Sequence, residues 1–549
     1  MPPEENRPPS TWSPLSDPFF RSLWIANVVS LVGTWMRDVA VSWLMTSLTT
    51  STFIVAIVQT ATMLPFFLLA LPAGALADIL DRRRLLLFSQ FWMFIAALGL
   101  GVTTTLGMTT PVVLLSFTFL LSVGAALNAP AWQAIIPELV RRDELPAAIT
   151  LGSVGFNIAR VVGPALGGFL VGTIGPGATF LLNAFSFWGV LVVLKRWRRV
   201  PHESSLPAER LMSAMRVGMR YVRNAPKVQA ALIHIAVFSL LSSALWAFLP
   251  ILARTYAGLS AVGYGSLLGF FGAGGLFGAT ILPRMKRAAS MNVLTIGITF
   301  SFAAVFLTLS AVRFFPVLAL AMGVGGIGWM VLVSVLSTVV QAVTPTWVRG
   351  RVVSVYMFVF FGGLAGGGAL WGAVATWLGI PLAFVVAAGC LVIGGIVTYP
   401  FTLSEGEGMD LRPSEGWGGA THVAEGMELE EKPILVIVEY TIKPEDGVDF
   451  MKAVGSLKSI RLRDGAIRWN LFHDISDPSS YVESFIVESW MEHLRQHERL
   501  TISDREIQDR VRAYHSGEGG LKVRHFVVEP VVREERKKEA AWLLFRRRP

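Results

Sequence analysis

Twelve long apolar runs, in two blocks of six divided by short charged loops, constrain this chain more than any other feature. Taking about 20 apolar residues as one bilayer crossing, the runs predict helices at 20–47, 53–77, 85–105, 111–134, 147–172 and 178–195. The second block predicts helices at 228–253, 261–282, 291–312, 315–343, 352–378 and 380–402. Both blocks carry a short common signature where their fourth run ends. Gln133-Ala134, Pro137 and Val140-Arg141 reappear in order as Gln341-Ala342, Pro345 and Val348-Arg349. A duplicated six-helix unit is the pattern of many secondary transporters, whose halves rock around a site near the membrane midplane. The predicted fold class is therefore an all-α membrane protein, two pseudo-repeated six-helix bundles at 19–195 and 228–402.

Composition agrees with that reading. Of 549 residues, 53% are hydrophobic and only 15% charged, more apolar surface than a soluble core of this length covers. The net charge of +9 comes from Lys and Arg scattered through loops, not gathered on one stripe, so no nucleic-acid partner is expected. The single cysteine, Cys390, lies inside the last apolar run, which leaves no intrachain disulfide and no cysteine-based metal site. Residues 1–18 are Pro-rich and carry Glu4 and Glu5, so the first run is expected to stay as an uncleaved helix behind a cytoplasmic tail.

Cations set the orientation. Arg82, Arg83, Arg84, Arg141, Arg142, Arg284, Lys286, Arg287, Arg349 and Arg351 fall on alternate loops, and only Arg254 and Arg313 break the pattern. Those loops are predicted to face the cytoplasm, with both termini inside a bacterial cytoplasmic membrane. Residues 196–227 form a basic linker with Leu211, Met215 and Met219 at helical spacing, which reads as an amphipathic helix at the inner leaflet or a plain tether.

After residue 402 the composition shifts. Residues 403–432 read as a flexible acidic linker, and 433–531 as a soluble domain of order βαββαβ, a ferredoxin-like split unit. Its strands are predicted at 434–442, 467–475, 481–488 and 523–529, and its helices at 445–462 and 490–514. A basic tail, 532–549, closes the chain.

Asp38 is the leading functional candidate. It is the only carboxylate between Phe19 and Ala77, and no Asp or Glu occurs between Val228 and Ser404. A carboxylate at membrane depth is protonated, paired or facing water, which makes it a natural proton carrier. Thr34, Trp35 and Ser42 share its helical face as a cavity wall. The plain alternative is a fixed ion pair with Arg37 beside it or Arg160 across the bundle. Asn128, Asn157, Arg160 and His234 are further cavity candidates, the neutral ones with a helix-to-helix hydrogen bond as their alternative. Gly323-Val324-Gly325-Gly326-Ile327-Gly328 fits a dinucleotide fingerprint but lies inside a predicted span, and no Walker A pattern is present, so neither cofactor nor ATP drive is expected.

Two motifs bring a family into view. The loop after the second run contains Gly74, Asp78, Arg82 and Arg83, and the fifth run contains Gly163-Pro164 with Gly167 and Gly168. Here the chain resembles the major facilitator superfamily, departing from its loop motif at Ile79 and Asp81, where Arg and Gly are usual. The resemblance implies a conformational latch at the first motif and an exporter or antiporter role for the second. Asn128-Ala129-Pro130, Asn157, Arg160 and Gly163-Pro164 look like the enterobactin-exporter-like subgroup. The segment from Trp490 to His497 is similar to antibiotic-biosynthesis-monooxygenase-type dimeric α/β barrels, which implies a homodimer through the C-terminal domain.

The expectation that follows is a proton-coupled exporter of small amphipathic molecules, siderophore-like or drug-like, with the lipid bilayer, a small-molecule substrate and protons as its partners. The competing expectation is a membrane-tethered enzyme or sensor, with His473, His493, His497 and His525 supplying acid or base chemistry. His493 and His497 alone, one turn apart, read as a solvated helix face.

Overall fold

The computed structural model describes residues 10–197, 211–404, 406, 408–414, 432–517 and 520–528, with all their side chains except those of 71, 75, 77–79 and 211–215. The predicted tail 532–549, residues 198–210 of the basic linker and 415–431 of the acidic linker lie outside the described residues. Contacts divide the chain into two compact units: residues 1–215, 230–341 and 353–405 in one, and 216–229, 342–352 and 406–549 in the other.

Among the described residues, twelve helices are long and apolar enough to cross a membrane. The first block gives α1 (Pro18–Leu48), α2 (Thr52–Ile79), α3 (Arg82–Thr105), α4 (Pro111–Leu139), α5 (Leu145–Thr173) and α6 (Gly175–Arg196). The basic helix α7 (Leu211–Arg223) precedes the second block. That block comprises α8 (Pro226–Ser242), α9 (Ala244–Ile251), α10 (Ala261–Ala288), α11 (Met291–Ala311), α12 (Phe315–Ala342), α13 (Thr346–Leu378) and α14 (Ile380–Thr398). Short loops suffice because side chains stop and start the helices: Ser51, Asp81, Thr110, Ser260 and Ser290 each cap the helix that follows. The seventh predicted span is not one smooth helix. It breaks at Ser243, where α8 passes to α9, and ends in a π-helical turn, Leu252–Tyr256, just past Pro250. Pro250 removes a backbone donor there, which favours irregular winding.

The two halves meet along glycine seams. In α5, Gly168 faces the Ala261 carbonyl and Gly265 of α10, so that a Cβ on Gly168 would sit 2.5 Å from that oxygen. Gly272 and Gly275 of α10 face Arg160 on the same helix α5. A second seam joins α2 to α13 through Thr60, whose hydroxyl donates to the Ala365 carbonyl at 2.7 Å, and through the Phe67–Phe358 ring pair. Removing side chains lets backbones approach where apolar lipid offers no hydrophobic drive for helix association.

The two cations that break the loop-charge pattern are both satisfied locally. Arg313 donates to the carbonyls of Leu309, Ser310 and Val312 at the end of α11, and Arg254 donates to Thr46 while lying over the Trp43 ring.

The second unit is built on a sheet of β1 (Ile434–Thr441), β2 (Ala466–His473), β3 (Ser480–Val487) and β4 (Lys522–Val527). Its order is β2-β3-β1-β4 with every neighbouring pair antiparallel, the ferredoxin-like arrangement. Helices α15 (Gly447–Asp464), α16 (Trp490–Arg499) and α17 (Ile502–Arg512) complete it. The single predicted helix 490–514 is in fact two. Leu500 is extended, and Thr501 restarts the helix through a capping box with Asp504. The core packs Val436, Val438, Phe450, Leu457, Phe485 and Val511.

Segments outside the sheet belong to this unit. The acidic linker is not loose at 408–414: Pro413 bridges Thr501, and the Asp410 amide donates to the Ser503 hydroxyl at 2.6 Å. The end of α7 buries Val217, Gly218, Tyr221 and Val222, and its cations meet carboxylates of α16 and its approach: Arg220 reaches Glu492 at 2.7 Å and Arg216 lies 3.7 Å from Glu488. Glu492 also accepts from Arg499 at 2.6 Å, and Arg499 lies over the ring of Trp347. Tyr221 stands edge-on to Trp347 and under Arg463, which pairs with Asp464 and Asp504. The helix predicted for the inner leaflet thus has a protein surface for its buried face.

Candidate transport pathway

Asp38 and Arg37 lie next to each other on α1. Arg37 donates to Asp38 Oδ1 from Nη2 at 2.6 Å and from Nε at 3.1 Å. The Arg37 side chain is 6% exposed and that of Asp38 is 40%, so the carboxylate keeps an open side while its cation is buried. Of the two partners weighed from sequence, Arg37 is the one in contact.

The other α1 candidates surround this pair. The Thr34 hydroxyl donates to Ser30 of its own helix, Trp35 stands edge-on to Phe156, and Ser42 bonds the hydroxyl of Tyr264 on α10. Glycines of α5 set the close fit. A Cβ at Gly163 would lie 2.5 Å from Trp35 Cβ, and one at Gly167 would lie 2.7 Å from Met36 Cα. With Gly168 turned to α10, the Gly163-Pro164 segment and its neighbours place α5 between α1 and the second half.

Arg160 sits at this junction with little to bind. Its Nη1 lies 3.8 Å from Met330 Sδ, its guanidinium is 5.6 Å from the Phe271 ring centroid, and its buried Nη2 has no hydrogen-bond partner. Gly275 makes room for it, since a Cβ there would be 2.6 Å from Nη2. Beyond Phe271 extends a cluster that sequence reading missed: Trp329 lies within 5.7–6.3 Å of Phe238, Trp246, Phe271, Phe302 and Phe360. The only signal for it was large aromatics in mid-span, which periodicity does not distinguish from lipid-facing ones.

The remaining candidates lie elsewhere. Asn128 accepts from Ser89 and Gln90 of α3, Asn157 donates to Ser153 one turn back, and buried His234 contacts the Phe401 carbonyl at 3.0 Å. At the loop motif, Gly74 has open space around it, and the Asp78 side chain lies outside the described residues. Arg82 donates to Glu138 at 2.9 Å and to the Ala134 carbonyl, tying α3 to α4. Arg83 donates to the carbonyls of Leu194 and Lys195 at the end of α6. Asp81, where the family usually has Gly, caps α3 by accepting from the Arg84 amide at 2.8 Å.

In the soluble domain the structure gathers three of the four histidines. His493 Nε2 lies 3.0 Å from His525 Nε2 and 3.3 Å from His497 Nε2, while His473 is stacked on Tyr481 instead. His493 is only 2% exposed, so this face of α16 is turned inward and is not the solvated face that its spacing alone indicates. Burial first, then repulsion from the neighbouring histidines and Arg461, holds His493 down at about 3. Burial and Arg461 hold His497 at about 4.

An enterobactin exporter of Shigella boydii is 27% identical over 385 residues, covering 69% of this chain and 90% of that protein. An MFS-type transporter of Bacillus subtilis, YfiS, is 24% identical over 404 residues, covering 70% of this chain and 94% of its own. The crystal structure of a bacterial homologue of the human lysosomal transporter Spinster, inward-facing and unoccupied, superposes with a TM-score of 0.56 at 15% identity, over 70% of this chain and 97% of that one. The family described as transmembrane secretion effector matches residues 9–533, a span that includes the soluble domain. With twelve apolar helices in two packed halves and that match, the chain belongs to the transmembrane secretion effector family of major facilitator superfamily transporters.

Proposed function

We propose that this protein exports small amphipathic anions, siderophore-like or drug-like, across the cytoplasmic membrane by proton antiport with alternating access. The observation that carries the reading is Arg160: a buried guanidinium, one nitrogen unpartnered, where the two halves meet beside an aromatic cluster. An unpaired cation at that depth is costly, and an anionic substrate with an aromatic body would satisfy the charge and the rings together. The enterobactin exporter among the relatives supports a siderophore-like cargo.

Asp38 carries the proton in this scheme. Ionised, it holds Arg37 through Oδ1; protonated, it releases that charge and changes the packing of α1 against α5. The positive loops support a cytoplasmic position for both termini. The seams between halves run through residues 52–67, 160–172, 261–275 and 358–376, the outer portions of their helices in that orientation, which fits an inward-facing state. Movement to the outward-facing state would pass through the loop motif, with Gly74, Asp78, Arg82 and Arg83 as the latch. The second face of the soluble sheet, which exposes Phe472 and Phe526, is where the dimeric-barrel resemblance would pair two copies.

The test is retention of labelled siderophores and lipophilic dyes in cells expressing the wild type, Asp38→Asn or Arg160→Gln, with and without a protonophore. Lower retention that needs Asp38 and the proton gradient is the expected result. Export that persists unchanged in correctly inserted Asp38→Asn would remove Asp38 from proton coupling, and export of anions undiminished in Arg160→Gln would remove the anion reading.

A further inference from the structure

One end of the helix bundle carries positive charge that no acid balances. The segments joining helices there are 49–51, 106–110, 174, 252–260, 312–314 and 379, and they hold Arg254 and Arg313 but no Asp or Glu. Both arginines are hydrogen-bonded, yet only to neutral acceptors: Arg254 to the Thr46 hydroxyl, and Arg313 to the carbonyls of Leu309, Ser310 and Val312. The end of α11 offsets part of the Arg313 charge and leaves the rest open to an anion. Those three bonds also leave two of the five guanidinium N–H groups for another acceptor. Arg313 lies over the exposed ring of Tyr256, which shares the π-helical turn with Arg254, so the two cations belong to one corner of the bundle.

Beside this corner an apolar groove of about 460 Å³ runs between α10 and α12. Phe270, Phe315, Leu320 and Val324 line it, together with Gly274 and Gly323, and every lining side chain is apolar. Gly274 and Gly323 bring the two backbones together, since a Cβ on Gly274 would collide with the Gly323 carbonyl. At Gly323 a Cβ would meet nothing nearer than the Phe270 carbonyl at 4.0 Å, so the space above that residue is open. Phe270, Leu320 and Val324 are exposed on helices that span the bilayer, and the groove therefore opens to hydrocarbon. Arg313 precedes Phe315 by two residues, which puts their Cα atoms within about 7 Å of each other.

We propose that this groove seats an acyl chain of one anionic phospholipid, whose phosphate is held by Arg313. The order along the chain is that of the lipid: a cation in the joining segment 312–314, where headgroups lie, followed by the apolar lining from Phe315 onward. Phosphate supplies the charge that no carboxylate of these segments can, and its oxygens take the spare guanidinium donors. An acyl chain fills a gap whose lining otherwise lacks contacts on one side. The site is in the outer leaflet if the orientation proposed above holds, and only that choice of leaflet rests on the export reading. Helix α10 also presents Gly272 and Gly275 to Arg160 on α5, so a chain seated between α10 and α12 bears on the helix that closes over Arg160.

The experiment places the full chain in phosphatidylcholine nanodiscs containing a little photoreactive lipid, with a diazirine on the acyl chain and either a phosphatidylglycerol or a phosphatidylcholine head. Labelled peptides are mapped by mass spectrometry, and labelling of 270–274 and 315–327 is read relative to α6, whose Phe185 and Trp188 are also exposed. Expected is labelling of the groove that favours phosphatidylglycerol by roughly fivefold, the scale of one arginine at a headgroup. Arg313→Gln should erase that preference, and Arg284→Gln, at the other end of α10, should keep it. Gly323→Leu, which fills the groove, should lower labelling by both lipids. Equal labelling by the two lipids in the wild type, a comparison that needs no variant to fold, would overturn the proposal, as would a preference that survives Arg313→Gln. Suppression by inorganic phosphate or by benzoate would overturn it too, by making the corner a site for soluble anions. Labelling does not depend on transport, so failure here leaves the export reading standing, and failure of export leaves the lipid site standing.

Discussion

Replacing Glu492 by alanine removes the carboxylate on which three arginines converge. Arg499 donates to Oε1 at 2.6 Å and to Oε2 at 3.3 Å, Arg220 donates to Oε1 at 2.7 Å, and Arg495 lies 3.9 Å from Oε2. Solvent cannot replace it, because the side chains of Glu492, Arg220 and Arg499 are 10%, 15% and 8% exposed. Arg499 would keep the Asp464 carbonyl and the Trp347 ring. Arg220 would keep no side-chain acceptor among the described residues, and its Nε is already buried without a partner. Removing one member of a buried ion pair costs about 3–5 kcal/mol, because the charge left behind is uncompensated. At about 1.4 kcal/mol per decade, the opening equilibrium of 216–223 should rise by roughly 100-fold to several thousand-fold. The assay is hydrogen exchange of the full chain, followed by mass spectrometry on peptides covering 216–229 and 342–352. Glu492→Gln, which keeps an acceptor oxygen but loses the charge, should fall between. Exchange in 216–223 within about twofold of wild type, with the sheet still protected, would refute the argument that this carboxylate holds α7.

Three further outcomes follow from particular contacts. Acidification should loosen the soluble domain in a defined window: His493 and His497 sit at about 3 and about 4 in the folded state, below the roughly 6.5 of an unfolded histidine. The unfolded chain then binds more protons, so their contribution is complete above pH 6.5 and lost as pH falls toward 4 and 3, at about 1.4 kcal/mol per unit per histidine, read from exchange of sheet amides. Gly265→Leu should abolish transport and lower the melting temperature in detergent, since its Cβ would lie 2.5 Å from the Pro164 carbonyl, whereas Gly74→Ala, with nothing within 4 Å, should leave the melting temperature intact or raised. Thr501→Ala removes the hydroxyl that accepts from the Asp504 amide and donates to the Asp504 carboxylate, keeps the bond from the backbone amide of residue 501 to that carboxylate, and should cost about 1 kcal/mol, seen as faster exchange in the first turn of α17.

Much of this architecture was legible from the residues alone, for a physical reason. A bilayer leaves no backbone polar group unsatisfied, so long apolar runs bounded by charged loops have only one regular solution here, a bundle of spanning helices. Period-two alternation at 434–442 likewise announced a strand, and the βαββαβ order expected of the C-terminal domain is matched by a four-stranded antiparallel sheet. Errors came where local chemistry was decisive. Thr501 with Asp504 splits what looked like one helix, and Pro250 precedes a π-helical turn in what looked like one span.

What composition and spacing determined by themselves was the class of protein, the duplicated halves, the soluble domain and a short roster of polar residues at membrane depth. Only the tertiary structure decided who meets whom. It paired Asp38 with Arg37, left Arg160 against Met330 and Phe271, gathered Trp329 and its aromatic neighbours, and turned His493 inward. It also drew the end of α7 and the 342–352 segment, which includes the first turns of α13, into one unit with the C-terminal sheet. Such contacts join residues far apart in the chain, and their energies depend on burial and on the partners present, neither of which a linear pattern encodes.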